Sequence, residues 1–208
     1  MNVNSDDLPS ELGNKTRLRK SLRAARRMLT PEDQSKAAED LLTRLLEVDL
    51  FTQSNRIALY LAHDGEIDPS RVIHWCQINF RHSYLPIVKQ ERGRNWLMFG
   101  EVEPNSQFQK NKFGIQEPVI DQSALLDARE LDLVLLPLVG FDRRGNRIGM
   151  GGGFYDTTFE FLRQSANRTP ELIGVAHEIQ KITSVNAESW DVPLTMVVTD
   201  QAVYRLMP

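Results

Sequence analysis

The residues best suited to chemistry lie in one short run, Gly145-Asn146-Arg147-Ile148-Gly149-Met150-Gly151-Gly152-Gly153-Phe154-Tyr155-Asp156. Four of the five positions from 149 to 153 are glycine. Backbone without Cβ atoms reaches positive φ and lets a ligand approach closely. Such a loop between a strand and a helix aims several N–H groups at an anion, and the helix N-terminus adds a favourable partial charge. Arg147 offers a planar, permanently charged fork for a phosphate. Asp156 is a hard carboxylate beside it, of the kind magnesium takes together with phosphate oxygens and water. No Gly-Lys-Ser/Thr follows the glycines, so the run is not a P-loop. Phe154 stands where a dinucleotide fingerprint needs its third glycine. A tight turn using glycine for packing alone is the competing reading of the loop, and an acid favoured early in a helix is that of Asp156.

The elements that must position this loop can be read on either side of it. Residues 132–138 are the most apolar strand candidate, and a helix is expected from Phe154 to about Gln164. Short apolar runs at 57–61, 84–88, 172–176 and 195–199 read as further strands, with 96–99 following a turn at 91–94. Asp68-Pro69 opens a helix to about Asn79, and Thr30-Pro31 opens another to about Val48. Residues 100–118 read as a long loop marked by glycine and proline. Strands alternating with helices predict a single three-layer α/β domain, an open sheet covered on both faces. It is expected over residues 15–208, behind a flexible tail over 1–14.

The first helix has its own chemistry. Lys15, Arg17, Arg19, Lys20, Arg23, Arg26 and Arg27 follow one another with no acid among them. Leu18, Leu22, Ala25 and Leu29 recur at spacings of four, three and four, which predicts an apolar stripe on a basic helix. Lys15 and Arg19 are four apart and share a face. Arg17, Lys20, Arg26 and Arg27 read as a solvated basic face.

The run 140–156, GFDRRGNRIGMGGGFYD, closely resembles the signature loop of the 5-formyltetrahydrofolate cyclo-ligase family. Lys15-Thr16-Arg17-Leu18-Arg19 resembles that family's Lys-x-x-Leu-Arg element, and residues 61–66 its folate-site strand end. Phe113-Gly114-Ile115-Gln116-Glu117-Pro118 resembles its Gly-Ile-x-Glu-Pro segment, and Trp190-Asp191 its aromatic-or-His-Asp pair. The resemblance implies a fold like that of sugar-phosphate isomerases and CoA transferases. It also implies a ligase that converts 5-formyltetrahydrofolate to 5,10-methenyltetrahydrofolate while ATP is cleaved to ADP and phosphate. ATP would be held by Lys15, Thr16, Arg17, Leu18 and Arg19, and by the loop residues Arg147, Ile148, Gly149, Met150, Gly151, Gly152, Gly153, Phe154 and Tyr155. Leu61, Glu66, Gly151, Gly152, Phe154 and Tyr155 would line the folate pocket, with Glu66 accepting from the pterin. Arg147, Tyr155 and Asp156 would be the catalytic groups, and Asp156 and Asp191 the ligands of Mg2+. Phe154 replaces a tyrosine found in many members, so a hydroxyl contact there is absent, and Gly152 replaces a lysine found in some.

Composition bounds the rest. A chain of 208 residues with 41% hydrophobic and 25% charged residues and a formal charge of -3 is an ordinary globular sequence. The single cysteine, Cys76, excludes an internal disulfide and reads as packing. His63, His74, His82 and His177 show no zinc spacing. The longest apolar run, 133–141, is about half a membrane span and contains Pro137. The acidic start resembles no secretory or mitochondrial signal. A soluble, cytoplasmic monomer with small-molecule partners and no membrane is expected. Two rivals remain: a divergent family member that binds nucleotide or folate without turnover, and an RNA-binding regulator using the basic helix. An overall pI of about 5.8 weighs against the second.

Overall fold

A computed structural model of the chain describes residues 11–112, 114–163 and 169–206, with side chains from residue 15 onward. The tail expected over residues 1–14 lies outside the described residues as far as position 10. Helix α1 (Glu11–Arg27) begins at 11. α2 (Pro31–Leu46) starts at a capping box in which the Thr30 hydroxyl accepts from the Asp33 N–H and the Asp33 carboxylate accepts from the Thr30 N–H, with Pro31 in the first turn. α3 (Asp49–Gln53) leads into β1 (Arg56–Ala58). α4 (Ser70–Ile78) precedes the hairpin of β2 (His82–Glu91) and β3 (Arg94–Glu101). Then come β4 (Phe108–Lys110), β5 (Gln116–Pro118) and β6 (Leu133–Pro137). β7 (Gly140–Phe141), β8 (Arg147–Ile148) and α5 (Phe154–Thr158) form the glycine-rich region. β9 (Glu171–Ala176), β10 (Met196–Thr199) and β11 (Val203–Arg205) complete the described chain.

The main sheet has seven strands in the order β11-β10-β9-β6-β1-β2-β3. The five inner strands are parallel, and β11 and β3 close the edges antiparallel. β6 occupies the middle, as its continuous apolar run requires of a strand covered on both faces. Side-chain alternation divides the core. Ile57, Leu133, Leu135, Ile173, Val175, Met196 and Val198 pack with Leu41, Leu45, Phe51, Val72 and Cys76 from α2, α3 and α4. Ala58, Val134, Leu136, Leu172, Ala176 and Val197 face the other way, towards Phe159, Leu162, Val192 and Leu194. The mixed α/β expectation therefore holds. Cys76 is buried in the first layer, where burial pushes its thiol up to about 12.

Two stretches differ from the reading of the sequence. Within the expected loop, β4 and β5 pair antiparallel, Phe108 with Pro118 and Lys110 with Gln116. Buried Glu117 accepts from the Val88 N–H (2.8 Å) and the Asn111 amide (2.8 Å), tying that pair to β2. Strands of three residues carry too few alternations to register as periodicity. The helix expected to reach Gln164 ends at Thr158 and gives way to a 3-10 turn at Glu160–Arg163; Gln164 lies outside the described residues.

Candidate functional site

The loops that follow the parallel strands β1, β6 and β9 gather at one end of the sheet, where open α/β sheets place ligand groups. β6 runs into the β7–β8 hairpin, whose turn is organised by Asp142. That buried carboxylate accepts from the N–H groups of Arg144 (2.9 Å), Asn146 (3.1 Å) and Val185 (3.0 Å), and from the Asn146 amide (2.9 Å). Burial alone would raise the Asp142 carboxyl; these donors outweigh it and hold the group below the usual range. The turn sets the direction in which β8 sends Arg147. After exposed Gly149, Met150, Gly151 and Gly152, Gly153 caps α5 at φ 68°, a left-handed conformation that a Cβ would strain.

Arg147 is paired with Asp156 and also donates to the Val192 carbonyl, while the Val192 N–H reaches the same Asp156 oxygen at 3.3 Å. Asp191 stands next to Val192 in the chain and accepts from the Glu188 N–H at 2.9 Å. The Trp190-Asp191 segment is thus brought against α5. Tyr155 lies partly buried beside Phe159 in a stacked pair, 6.3 Å between centroids.

α1 crosses the same end of the sheet. Lys15 Nζ meets Glu188 Oε1 at 2.5 Å, and Arg19 Nε donates to the Gly149 carbonyl at 2.7 Å. The Arg19 guanidinium hangs over Gly151, 3.7 Å from where a Cβ would sit. Leu22 packs with Val139, Ile148 and Val185. The buried line of α1 therefore runs through Leu22 and Arg26; Ala25, placed in the apolar stripe by its spacing, is exposed. Arg26 overturns the solvated reading, for it is fully buried. Arg17, Lys20 and Arg27 are exposed as expected.

Beyond β1, Arg26 spans the 63–66 loop. It donates to the Asp64 carbonyl (2.9 Å) and carboxylate (3.1 Å), to Glu66 Oε1 (3.4 Å), and to the Leu138 carbonyl (3.2 Å). Arg23 (2.6 Å) and Arg27 (3.2 Å) also hold the Asp64 carboxylate, and Arg23 above all keeps it below its ordinary range. Glu66 Oε2 accepts from the His63 N–H at 3.1 Å. Burial nevertheless pushes the Glu66 carboxyl up. Its charge reaches Tyr60 and Tyr155, whose phenols burial already raises well above their ordinary value. Leu61 is half-buried against the first core layer.

The sequence model of the 5-formyltetrahydrofolate cyclo-ligase family matches residues 11–200. The chain belongs to the 5-formyltetrahydrofolate cyclo-ligase family. The Escherichia coli K12 5-formyltetrahydrofolate cyclo-ligase is 34% identical over 184 residues, covering 88% of this chain and 99% of the relative. The Haemophilus influenzae protein of the same name is 35% identical, covering 85% and 92%. Among solved structures, the Aquifex aeolicus 5,10-methenyltetrahydrofolate synthetase superposes with a TM-score of 0.76 at 27% identity, over 93% of both chains.

The fold of this cyclo-ligase family member brings Lys15, Arg19, Arg147, Asp156 and the Asp191 turn into one connected group, and sets Glu66 and Tyr155 within electrostatic reach of each other. Thr16 and Arg17 stay exposed, and Leu18 is half-buried against the Leu22 cluster. Phe113 of the Gly-Ile-x-Glu-Pro segment lies outside the described residues. Sequence reasoning missed Arg23, Arg26, Asp64 and Asp142. A signal for the arginines was present: Lys15, Arg19, Arg23 and Arg26, at spacings of four, four and three, fall on one helix face. Nothing in the spacing of Asp142 marks it as a hub.

Asp156 and Asp191, both partly exposed, are the hard carboxylate oxygens that this end of the site offers. Among the described residues no group of three or more His, Cys, Asp or Glu side chains is arranged to hold an ion alone. Magnesium commonly takes one or two protein carboxylates together with phosphate oxygens and water, and two carboxylates match that donor chemistry.

Proposed function

We propose that this chain converts 5-formyltetrahydrofolate to 5,10-methenyltetrahydrofolate with cleavage of ATP to ADP and phosphate. The observation that carries the reading is a meeting of parts in a cyclo-ligase family member. The basic face of α1, the glycine loop and the Glu66 loop converge beyond the ends of β1, β6 and β9.

The chemical difficulty is a formamide, whose carbonyl is a poor electrophile and whose oxygen is a poor leaving group. Transfer of the γ-phosphoryl group to that oxygen forms the O–P bond and releases ADP. N10 then attacks the activated carbon, closes the five-membered ring, loses its proton, and phosphate departs. Ring closure is intramolecular, so the protein's work is holding the folate and stabilising charge on the moving phosphoryl group. Lys15 and Arg19 exchange Glu188 and the Gly149 carbonyl for phosphate oxygens, and the backbone of residues 149–153 lies against the nucleotide. Arg147, its guanidinium held by the Val192 carbonyl, orients Asp156 and adds positive charge. Glu66 accepts from the pterin, and Phe154, Tyr155 and Leu61 give the folate its apolar contacts. Asp156 and Asp191 would hold magnesium, which supplies charge neutralisation on the phosphates when bound.

The RNA-binding rival is not favoured, because the chain belongs to a cyclo-ligase family and Arg23 and Arg26 of the basic helix are turned onto Asp64 and Glu66 within the protein. The test is absorbance-monitored formation of the methenyl product, with ATP and magnesium omitted in turn. Product in the complete mixture alone, with one ADP per turnover, is expected. A folded, ATP-binding preparation that forms none would overturn the reading and leave a binding protein without turnover.

A further inference from the structure

Arg26 is an arginine with no exposed surface, and no ligand on the outside of the protein can touch it. All three nitrogens of its guanidinium are nonetheless directed at one loop and at the strand end beside it. Nε takes the Asp64 carbonyl, one terminal nitrogen takes the Asp64 and Glu66 carboxylates, and the other takes the Leu138 carbonyl. Gln180 donates to the same Leu138 carbonyl at 2.7 Å, which anchors the strand end from the other side.

The loop that Arg26 grips is a tight Asp-Gly turn, closed by the Glu66 N–H on the His63 carbonyl at 3.1 Å. Asp64 and Gly65 are successive residues with φ of 55° and 76°. A Cβ at Gly65 would stand 3.0 Å from the Arg26 carbonyl oxygen, so the loop lies directly on the α1 backbone. Gln34 of α2 adds bonds to the carbonyls of both Arg26 and Gly65, each at 3.3 Å. The same helix places Arg19, about two turns earlier, and Lys15, about three turns earlier, on the glycine-loop side.

We infer that Arg26 is a positioning residue for the folate subsite: its buried fork fixes the 63–66 loop so that Glu66 presents an oriented carboxylate to the pterin. The inference rests on the folate role proposed above for Glu66. The groups facing Glu66 are Arg23 and Arg26 from α1, His63 and Asp64 from its own loop, Tyr60 beyond β1, and Tyr155 from α5. Arg26 is the cation among them that touches the carboxylate, and it opposes the upward push of burial on Glu66. A lysine carries the charge but cannot reproduce the fork.

The experiment measures equilibrium binding of 5-formyltetrahydrofolate and of ATP separately, on full-length Arg26→Gln, Arg26→Lys, Asp64→Asn and Glu66→Gln. Folate affinity in Arg26→Gln is expected to fall about tenfold or more, the size of one charge-assisted bond, while ATP affinity stays within about twofold. Arg26→Lys should recover part of the loss. The pH below which folate binding weakens should move upward in Arg26→Gln, as Glu66 loses its cation. Should Arg26→Gln fail to fold, Asp64→Asn keeps the arginine and loosens its anchor, and must show the same folate-selective loss. Wild-type folate affinity in folded Arg26 or Asp64 variants, or equal losses of folate and ATP, overturns the inference while leaving Glu66 its role. Unchanged folate binding in Glu66→Gln removes the reading of Glu66, and this inference with it.

Discussion

Arg147 and Asp156 are held to each other by the fold. The Arg147 side chain is only 8% exposed, and it shares Asp156 with the Val192 N–H. Truncating either partner therefore leaves the other short of its bonds in a partly desolvated place. A polar loop alone would predict a cost in turnover with little cost in folding, and this pairing changes that expectation. Arg147→Ala should lower both kcat, by about a hundredfold or more, and stability, by about 2–3 kcal/mol. Asp156→Asn keeps the shape and an acceptor for Val192 while removing the charge, so kcat should fall comparably with a stability change within about 1 kcal/mol. Denaturant midpoints beside initial rates check both. A near-wild-type kcat in folded Asp156→Asn would remove that carboxylate from the chemistry.

At the scale of elements, α1 is the piece on which both halves of the site depend. It docks through the small cluster of Leu22 with Val139, Ile148 and Val185, and a Leu22 methyl occupies the space where a Cβ of Gly140 would stand. Leu22→Ala leaves a cavity there and should cost about 2–4 kcal/mol. It should also raise KM for ATP, because Lys15 and Arg19 ride on the same helix. A thermal melt and an ATP titration test the pair. An unchanged KM in a clearly destabilised variant would mean that α1 holds its basic residues by polar contacts alone. α5 is shorter than its sequence promised, five residues ending at Thr158. The glycine loop is positioned instead by the Asp142 turn below it and by Thr158, whose hydroxyl accepts from the Leu97 N–H at 2.8 Å.

The whole molecule concentrates buried polar groups at one end of a parallel sheet, and that arrangement responds to acid. His177 follows β9, is 2% exposed, and its Nε2 has no hydrogen-bond partner among the described residues. Burial holds its imidazole below the ordinary value. The unfolded chain thus binds this proton more readily than the folded one, and stability falls as pH drops below about 6.5. The slope is at most about 1.4 kcal/mol per pH unit for one proton. Glu66 acts in the opposite sense, since its raised carboxyl gains a proton in the fold before it does when unfolded. Asp142, held low, contributes stability that is lost only below about pH 4. The informative quantity is the difference in denaturant midpoint between pH 7.5 and 5.5 for wild type and for His177→Gln. The loss on acidification should be smaller in the variant; an equal loss would assign the effect to other groups. No helix among the described residues is long and apolar enough to cross a membrane.

Local chemistry determined much of this protein without help from the fold. The glycine run, the apolar β6 segment and the Thr30-Pro31 cap each announce themselves within a few residues, because φ freedom, alternation and capping are properties of neighbours in the chain. Tertiary structure decided what distance along the chain conceals. Arg26 looked like one more surface charge until α1 was laid across the loop 38 residues away, where it meets buried carbonyls and carboxylates that only the sheet brings together. Arg147 is 45 residues from the carbonyl that fixes its aim. Asp142 becomes a hub only when Val185, 43 residues further on, returns to it. Burial and charge pairing are properties of neighbours in space. They convert a list of basic residues into an inner set that builds the site and an outer set that faces water.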